Sequence, residues 1–122
     1  ALMRAVLETY FTREAFAPLI ALAKKLEKGI ADVIIKHSVP WHVVRVGARV
    51  EFMCTPKPPR NGGEAAQMIH RPIDVALHHY LLNRGVIVTP FHNMMLICPA
   101  TTGAHVNRLV EGLDACVTEL MS

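Results

Sequence analysis

His92 and Asn93 close a five-residue corner, Thr89-Pro90-Phe91-His92-Asn93, between two apolar runs, Val86–Val88 and Met94–Ile97. An imidazole and a carboxamide held between buried strands need partners, because an unpaired buried polar group costs free energy. A substrate carboxylate is one such partner. A satisfied turn is the other reading, since loops containing Pro commonly do no more than reverse the chain. Thr89 and Phe91 complete the corner's candidate surface. Two arginines add charge that suits an anion. Arg60 stands at the tip of the TPKPPRNGG loop, Thr55–Gly63, and Arg84 in the last turn of a helical pattern. Arg84 has a structural reading too, as a cation complementing the helix C-terminus.

Other chemistries lack their residue patterns. None of the seven histidines forms HExxH, and His78-His79 are adjacent and diverge on a helix, so metal ligation is not expected. There is no GxSxG elbow, no Gly-rich phosphate loop and no pair of carboxylates at a working spacing. Cys54, Cys98 and Cys116 show no CxxC spacing and sit in apolar patterns, which reads as reduced core thiols of a cytosolic protein. With 52% apolar and 19% charged residues, the 122-residue chain has the composition of one packed domain. A charge of +3, scattered basic residues and seven aromatics argue against nucleic-acid binding. No apolar run approaches the roughly 20 residues of a membrane span, and no signal-peptide layout is present. The expected location is cytoplasmic.

The elements that must position the corner follow from periodicity. Residues 1–11 read as the end of a helix belonging to a longer protein, since an apolar helical pattern starts there without a cap. Thr12 is a good N-cap, with Glu14 in the first turn. Phe16, Leu19, Ala23, Leu26, Ile30 and Val33 then recur at three- and four-residue steps, predicting a helix over 13–36, locally weakened at Gly29. Trp41–Val46 and Ala48–Cys54 read as strands bent at Gly47, with Val50 and Phe52 on one face and Arg49, Glu51 and Met53 on the other. After the Pro-Gly loop, Glu64–Ile69 starts a helix and Pro72 suits the first turn of the next. Ile73, Leu77, Tyr80 and Leu81 form its buried stripe, and Gly85 is a natural helix stop. Val86–Val88 and Met94–Ile97 read as strands. Thr101 or Thr102 caps a last helix with a seam at Val106, Leu109, Leu113, Cys116, Val117 and Leu120. The expected fold is α+β, a small mainly antiparallel sheet covered by helices.

Taken in order, PPRNG at Pro58–Gly62, LLNRGV at Leu81–Val86 and TPFHNMMLICPATT at Thr89–Thr102 carry a resemblance. They resemble the C-terminal domain of class III, pyridoxal-phosphate-dependent aminotransferases, in the branch of glutamate-1-semialdehyde aminomutase and β-phenylalanine-type transaminases. The resemblance implies that 12–122 is the small domain of a fold-type I enzyme, usually a homodimer, which closes over amino-acid and keto-acid substrates. It implies that pyridoxal phosphate is bound by an upstream large domain. None of Lys24, Lys25, Lys28, Lys36 and Lys57 stands in the family's Schiff-base context, so no catalytic residue is expected here and the piece alone should be inactive. Many relatives carry a carboxylate-gripping arginine before a Pro-Pro turn; the nearest matching positions hold His92 and Asn93. The implied substrate contacts are His92, Asn93, Thr89, Phe91, Arg60 and Arg84. Transaminase and aminomutase chemistry both fit. A non-enzymatic helix–sheet interaction module is the competing class.

Overall fold

The computed structural model describes residues 1–69, 71–89 and 92–122, so Phe91 and Pro90 of the corner lie outside the described residues. In chain order the elements are α1 (Leu2–Thr9), α2 (Arg13–His37), β1 (His42–Val46), β2 (Arg49–Met53), α3 (Gly62–Gln67), α4 (Arg71–Leu82), β3 (Asn93–Leu96) and α5 (Gly103–Leu120). The strands form one antiparallel sheet in the order β1-β2-β3. The α+β fold read from the sequence is the fold observed.

Each boundary has a local cause. The Thr12 hydroxyl accepts the Ala15 N–H and starts α2. The residue count of β1 and β2 requires a two-residue turn, and Gly47 supplies it at φ +59°. Thr102 and His105 cap α5 reciprocally: His105 N–H donates to the Thr102 hydroxyl, and Thr102 N–H donates to His105 Nδ1. At the end of α4, Gly85 adopts φ +74°, its N–H reaches the Leu82 carbonyl, and the Val86 N–H reaches the Leu81 carbonyl. That pair of bonds is a Schellman stop, with Val86 packing back toward Leu81.

The stop also explains a difference from expectation. Val86–Val88 is not a strand of the sheet. Its ladder groups are spent elsewhere: Val86 N–H on the helix end, and the Val88 carbonyl on the His78 ring at 2.8 Å. Chain order is therefore two helices, two strands, two helices, one strand and a helix.

Strand alternation divides the sheet into two faces. The inner face carries Val43 beside Phe52 and Arg45 beside Val50, with Met95 and Asn93 continuing the rows on β3. Val50, Phe52, Met95 and Asn93 are buried against the helical layer, which contributes Leu26, Ile30, Leu77, Leu81, Leu113 and Val117 to the core. Arg45 reaches through to Glu27 of α2 at 2.7 Å. The outer face carries Val44, Glu51 and Met94 in one row and Val46, Arg49 and Leu96 in the next. Leu96, expected in the core, is 66% exposed because its register puts it on this outer face. Of the cysteines, Cys116 is buried and Cys54 half-buried, but Cys98 is exposed in the turn that precedes α5, not in the core.

Candidate functional site

The polar corner is built from both sheet faces at once. Asn93 opens β3 and pairs with Phe52, so its side chain goes to the inner face, where it is 3% exposed. Its amide donates to Asp74 of α4 at 2.9 Å. Asp74 is itself buried, and the Cys54 thiol lies 4.0 Å from the same oxygen. Burial first, and the Asp74 charge second, push the Cys54 thiol up to about 12. This inner cluster ties the start of β3 to α4 through the Asn93–Asp74 bond.

His92 has the opposite parity and falls on the outer face. Its Nδ1 lies 3.3 Å from Glu51 Oε1, and Arg49 donates to Glu51 Oε2 at 2.6 Å. The three side chains become progressively more open, with Glu51 17%, His92 34% and Arg49 48% exposed. The expected His92–Asn93 pair is thus split by the two-residue period of the strand. One residue faces out with Glu51 and Arg49, and the other is locked to Asp74 inside.

The remaining corner residue, Thr89, is half-buried and donates its hydroxyl to the Met94 carbonyl at 3.1 Å. That bond, with Met94 N–H reaching back to the His92 carbonyl at 2.7 Å, closes the corner onto β3. A cleft of about 590 Å³ lies alongside, between Val86–Thr89, β3 and the first half of α5. Its lining is mainly apolar. Of its polar members, His105 serves the α5 cap, and Arg108 donates twice to the Arg84 carbonyl.

Neither expected arginine joins His92. Arg60 folds onto Glu64 through its side chain at 2.8 Å and its N–H at 2.8 Å, bracing the start of α3 that Asn61 caps. Those bonds, the Arg60 side chain first, hold the half-buried Glu64 carboxyl below its ordinary range. Arg84 lies over the Tyr80 ring at 3.4 Å and 3.4 Å from Glu119, in the helical layer. His92 lies instead near the Glu51 carboxylate, whose second oxygen is held by Arg49, which itself stands opposite Leu96 in the register. The sequence carried part of that signal, since alternation put Arg49, Glu51 and Met53 on one face. It carried no cross-strand register, which alone brings His92 to that face beside Glu51.

No protein-family profile matches the chain, and no curated protein sequence matches it. Solved structures do. The fold is that of the small domain of class III pyridoxal-phosphate-dependent aminotransferases. In particular, the chain is 45% identical to a glutamate-1-semialdehyde-aminomutase from Pseudomonas aeruginosa PAO1, over 97% of its own length and with a TM-score of 0.92. A variant of that enzyme has been crystallised with PMP. An omega-transaminase from Sphaerobacter thermophilus is 20% identical with a TM-score of 0.75, matching 98% of the chain. A β-phenylalanine aminotransferase from Variovorax paradoxus is 18% identical with a TM-score of 0.82, matching 94%. These last two share the fold. In every case the chain spans about a quarter, 26%, of the solved chain it matches.

Proposed function

We propose that this chain acts as the C-terminal, substrate-facing small domain of a longer pyridoxal-phosphate enzyme that moves an amino group. The observation that carries the reading is the 45% identity to a glutamate-1-semialdehyde-aminomutase across 97% of the chain. Transfer within one carbon skeleton, as in an aminomutase, is therefore favoured over transfer between an amino acid and a keto acid. The two transaminases are below half that identity.

Pyridoxal phosphate, when bound, supplies the electron sink for the amino-group chemistry, and a protein supplies position. Two of the five lysines of this chain are committed to ion pairs. Lys28 is paired with Asp32 and Lys36 with Asp114, both on helices away from the outer sheet face. The cofactor belongs on the remainder of the protein. This chain's contribution is the outer face, on which His92, Glu51 and Arg49 are the polar groups amid Val44, Met94 and Leu96. His92 contacts substrate, Thr89 shapes the corner that holds it, and Asn93 anchors that corner to α4. Phe91 completes the proposed contact surface, whereas Arg60 and Arg84 serve their helix ends. Amino-acid substrates, an upstream large domain and a second subunit are the proposed partners.

Turnover of glutamate-1-semialdehyde by the longer protein, with no keto acid added, tests the reading. Migration of the amino group along the same carbon skeleton is expected. His92→Ala should lower kcat/KM by about 10- to 100-fold, or roughly 1.4–2.7 kcal/mol, with little change in Tm. No turnover without a keto acid, but turnover with one, would make the protein a transaminase. Full activity in the variant would remove His92 from the site.

A further inference from the structure

We propose that the cleft between β3 and Val86–Thr89 is a strand slot, filled by one extended segment from the remainder of the same longer chain, which pairs with the free edge of β3. The inference rests on the reading of this chain as one domain of a longer protein. β3 pairs with β2 alone, so its other edge is open. Which groups that edge presents follows from the ladder. Ile97 N–H donates to the Ala48 carbonyl at 3.0 Å, and the two are opposite in the register that sets Leu96 against Arg49. Bonded and non-bonded pairs alternate along an antiparallel ladder, so Leu96 is a non-bonded position whose N–H and carbonyl point away from β2. Met94 shares that parity, and its carbonyl is taken by the Thr89 hydroxyl at 3.1 Å. Thr89 therefore closes the slot at one end and leaves Leu96 open.

The facing wall is unpaired in the same way. Val86 N–H and the Val88 carbonyl both bond to α4, at Leu81 and His78. In an extended run the intervening residue turns its N–H and carbonyl to the opposite edge, and among the described residues nothing bonds those of Ile87. Between the two walls the cleft measures about 590 Å³ and is floored by Leu26, Val106 and Leu109. Taking strand spacing, sheet spacing and rise per residue, that is room for roughly four residues of strand. Ile87 and Leu96 are largely exposed at its rim, and β3 carries none of the charges or prolines that guard an open edge.

These features select the occupant. Main-chain groups on two walls over an apolar floor fit an extended peptide, which pairs its own backbone and turns alternate apolar side chains inward. They do not suit a small anion, because His105 and Arg108, the basic side chains of the lining, are bonded to the α5 cap and to the Arg84 carbonyl. A second copy's β3 cannot enter, since its other edge already carries β2 and a gap walled on both sides admits one strand. This chain spans 26% of the solved chain to which it is 45% identical, so a longer protein of that kind has ample chain to supply the segment.

Hydrogen exchange of the longer protein, resolved to single amides by mass spectrometry, reads the pairing. The Leu96 and Ile87 amides should exchange at least about a hundredfold more slowly than unprotected ones. Ile87→Pro removes one donor of the slot and no bond present in this chain. It should speed Leu96 exchange about tenfold and leave Met95, whose parity turns its N–H to β2, unchanged. Benzoylphenylalanine in place of Ile87, in protein assembled from ¹⁴N- and ¹⁵N-labelled chains, should cross-link to a stretch of the same chain outside these 122 residues. Unprotected exchange at both amides, or a cross-link that joins light chain to heavy, overturns the proposal. Turnover of glutamate-1-semialdehyde by the same sample separates this proposal from the functional one. Turnover with both amides unprotected rejects the slot and keeps the function, while protected amides without turnover keep the slot and reject the function.

Discussion

The Cys98 thiol is exposed and lies 3.5 Å from the Thr101 hydroxyl, in the turn that leads into α5. The hydrogen bond from Thr101, followed by the backbone N–H of Ala100, holds its pKa below the ordinary thiol range. Burial pushes Cys54 to about 12 and Cys116 to about 11. Mild alkylation at neutral pH should therefore label Cys98 first, with Cys54 and Cys116 unmodified until the chain unfolds. Peptide mapping by mass spectrometry reads the order, and early labelling of Cys116 would mean that α5 opens. Sequence pattern alone put all three thiols in the core, because Ile97-Cys98 continues an apolar run. Only the turn at Pro99 shows that the run has ended one residue earlier. The same limit applies to His92 and Asn93. Their types and their corner were legible, yet which face each one takes depends on a register that is set across strands.

At the scale of elements, helix periodicity was the most legible feature, because α2 and α5 bury one continuous stripe each. Gly29 was legible only as a weak point of α2, while the structure gives it a packing role. A Cβ placed there would meet Val110 Cγ2 of α5 at 2.6 Å. Val is β-branched and stiff at χ1, so it yields poorly. Gly29→Ala should cost about 1–3 kcal/mol from overpacking, against which better helix propensity returns at most about 1 kcal/mol. Leu113, fully buried on the same helix, should cost roughly 2–5 kcal/mol as Ala. Urea unfolding measures both; a loss below about 0.5 kcal/mol for Leu113→Ala would place α5 at the periphery. A polar staple joins the same two helices. Asp114 of α5 accepts from Lys36 at 2.7 Å and lies 2.6 Å from His37 Nε2. The Lys36 bond first, and His37 second, hold the Asp114 carboxyl below its ordinary range. A lowered carboxylate pKa means that its contribution is present above the unfolded value near 3.9 and is lost as pH falls through the folded one. Asp114→Asn should thus be less stable than the wild type near neutrality, with the gap closing below about pH 4. A gap that persists at lower pH would show that the staple acts through packing, not charge. The pair is one-third exposed on the Asp114 side, so added salt should narrow the gap as well.

For the molecule as a whole, one sheet face is sealed by helices and the other is left open, with apolar Val46 and Leu96 flanking the Arg49–Glu51–His92 line. α1 buries none of its residues, and Leu2, Met3, Leu7 and Phe11 are exposed. Among the described residues no helix is long and apolar enough to cross a membrane. An open face with a polar line in it suits closure over a site held by the rest of a longer protein, which is the central claim. The assembly's direct test is to treat the longer protein with pyridoxal phosphate and borohydride, then map the fixed lysine adduct by mass spectrometry. One stoichiometric adduct is expected on a lysine outside these 122 residues, and none on Lys24, Lys25, Lys28, Lys36 or Lys57. A stoichiometric adduct on any of those five, or no adduct anywhere, would contradict the account.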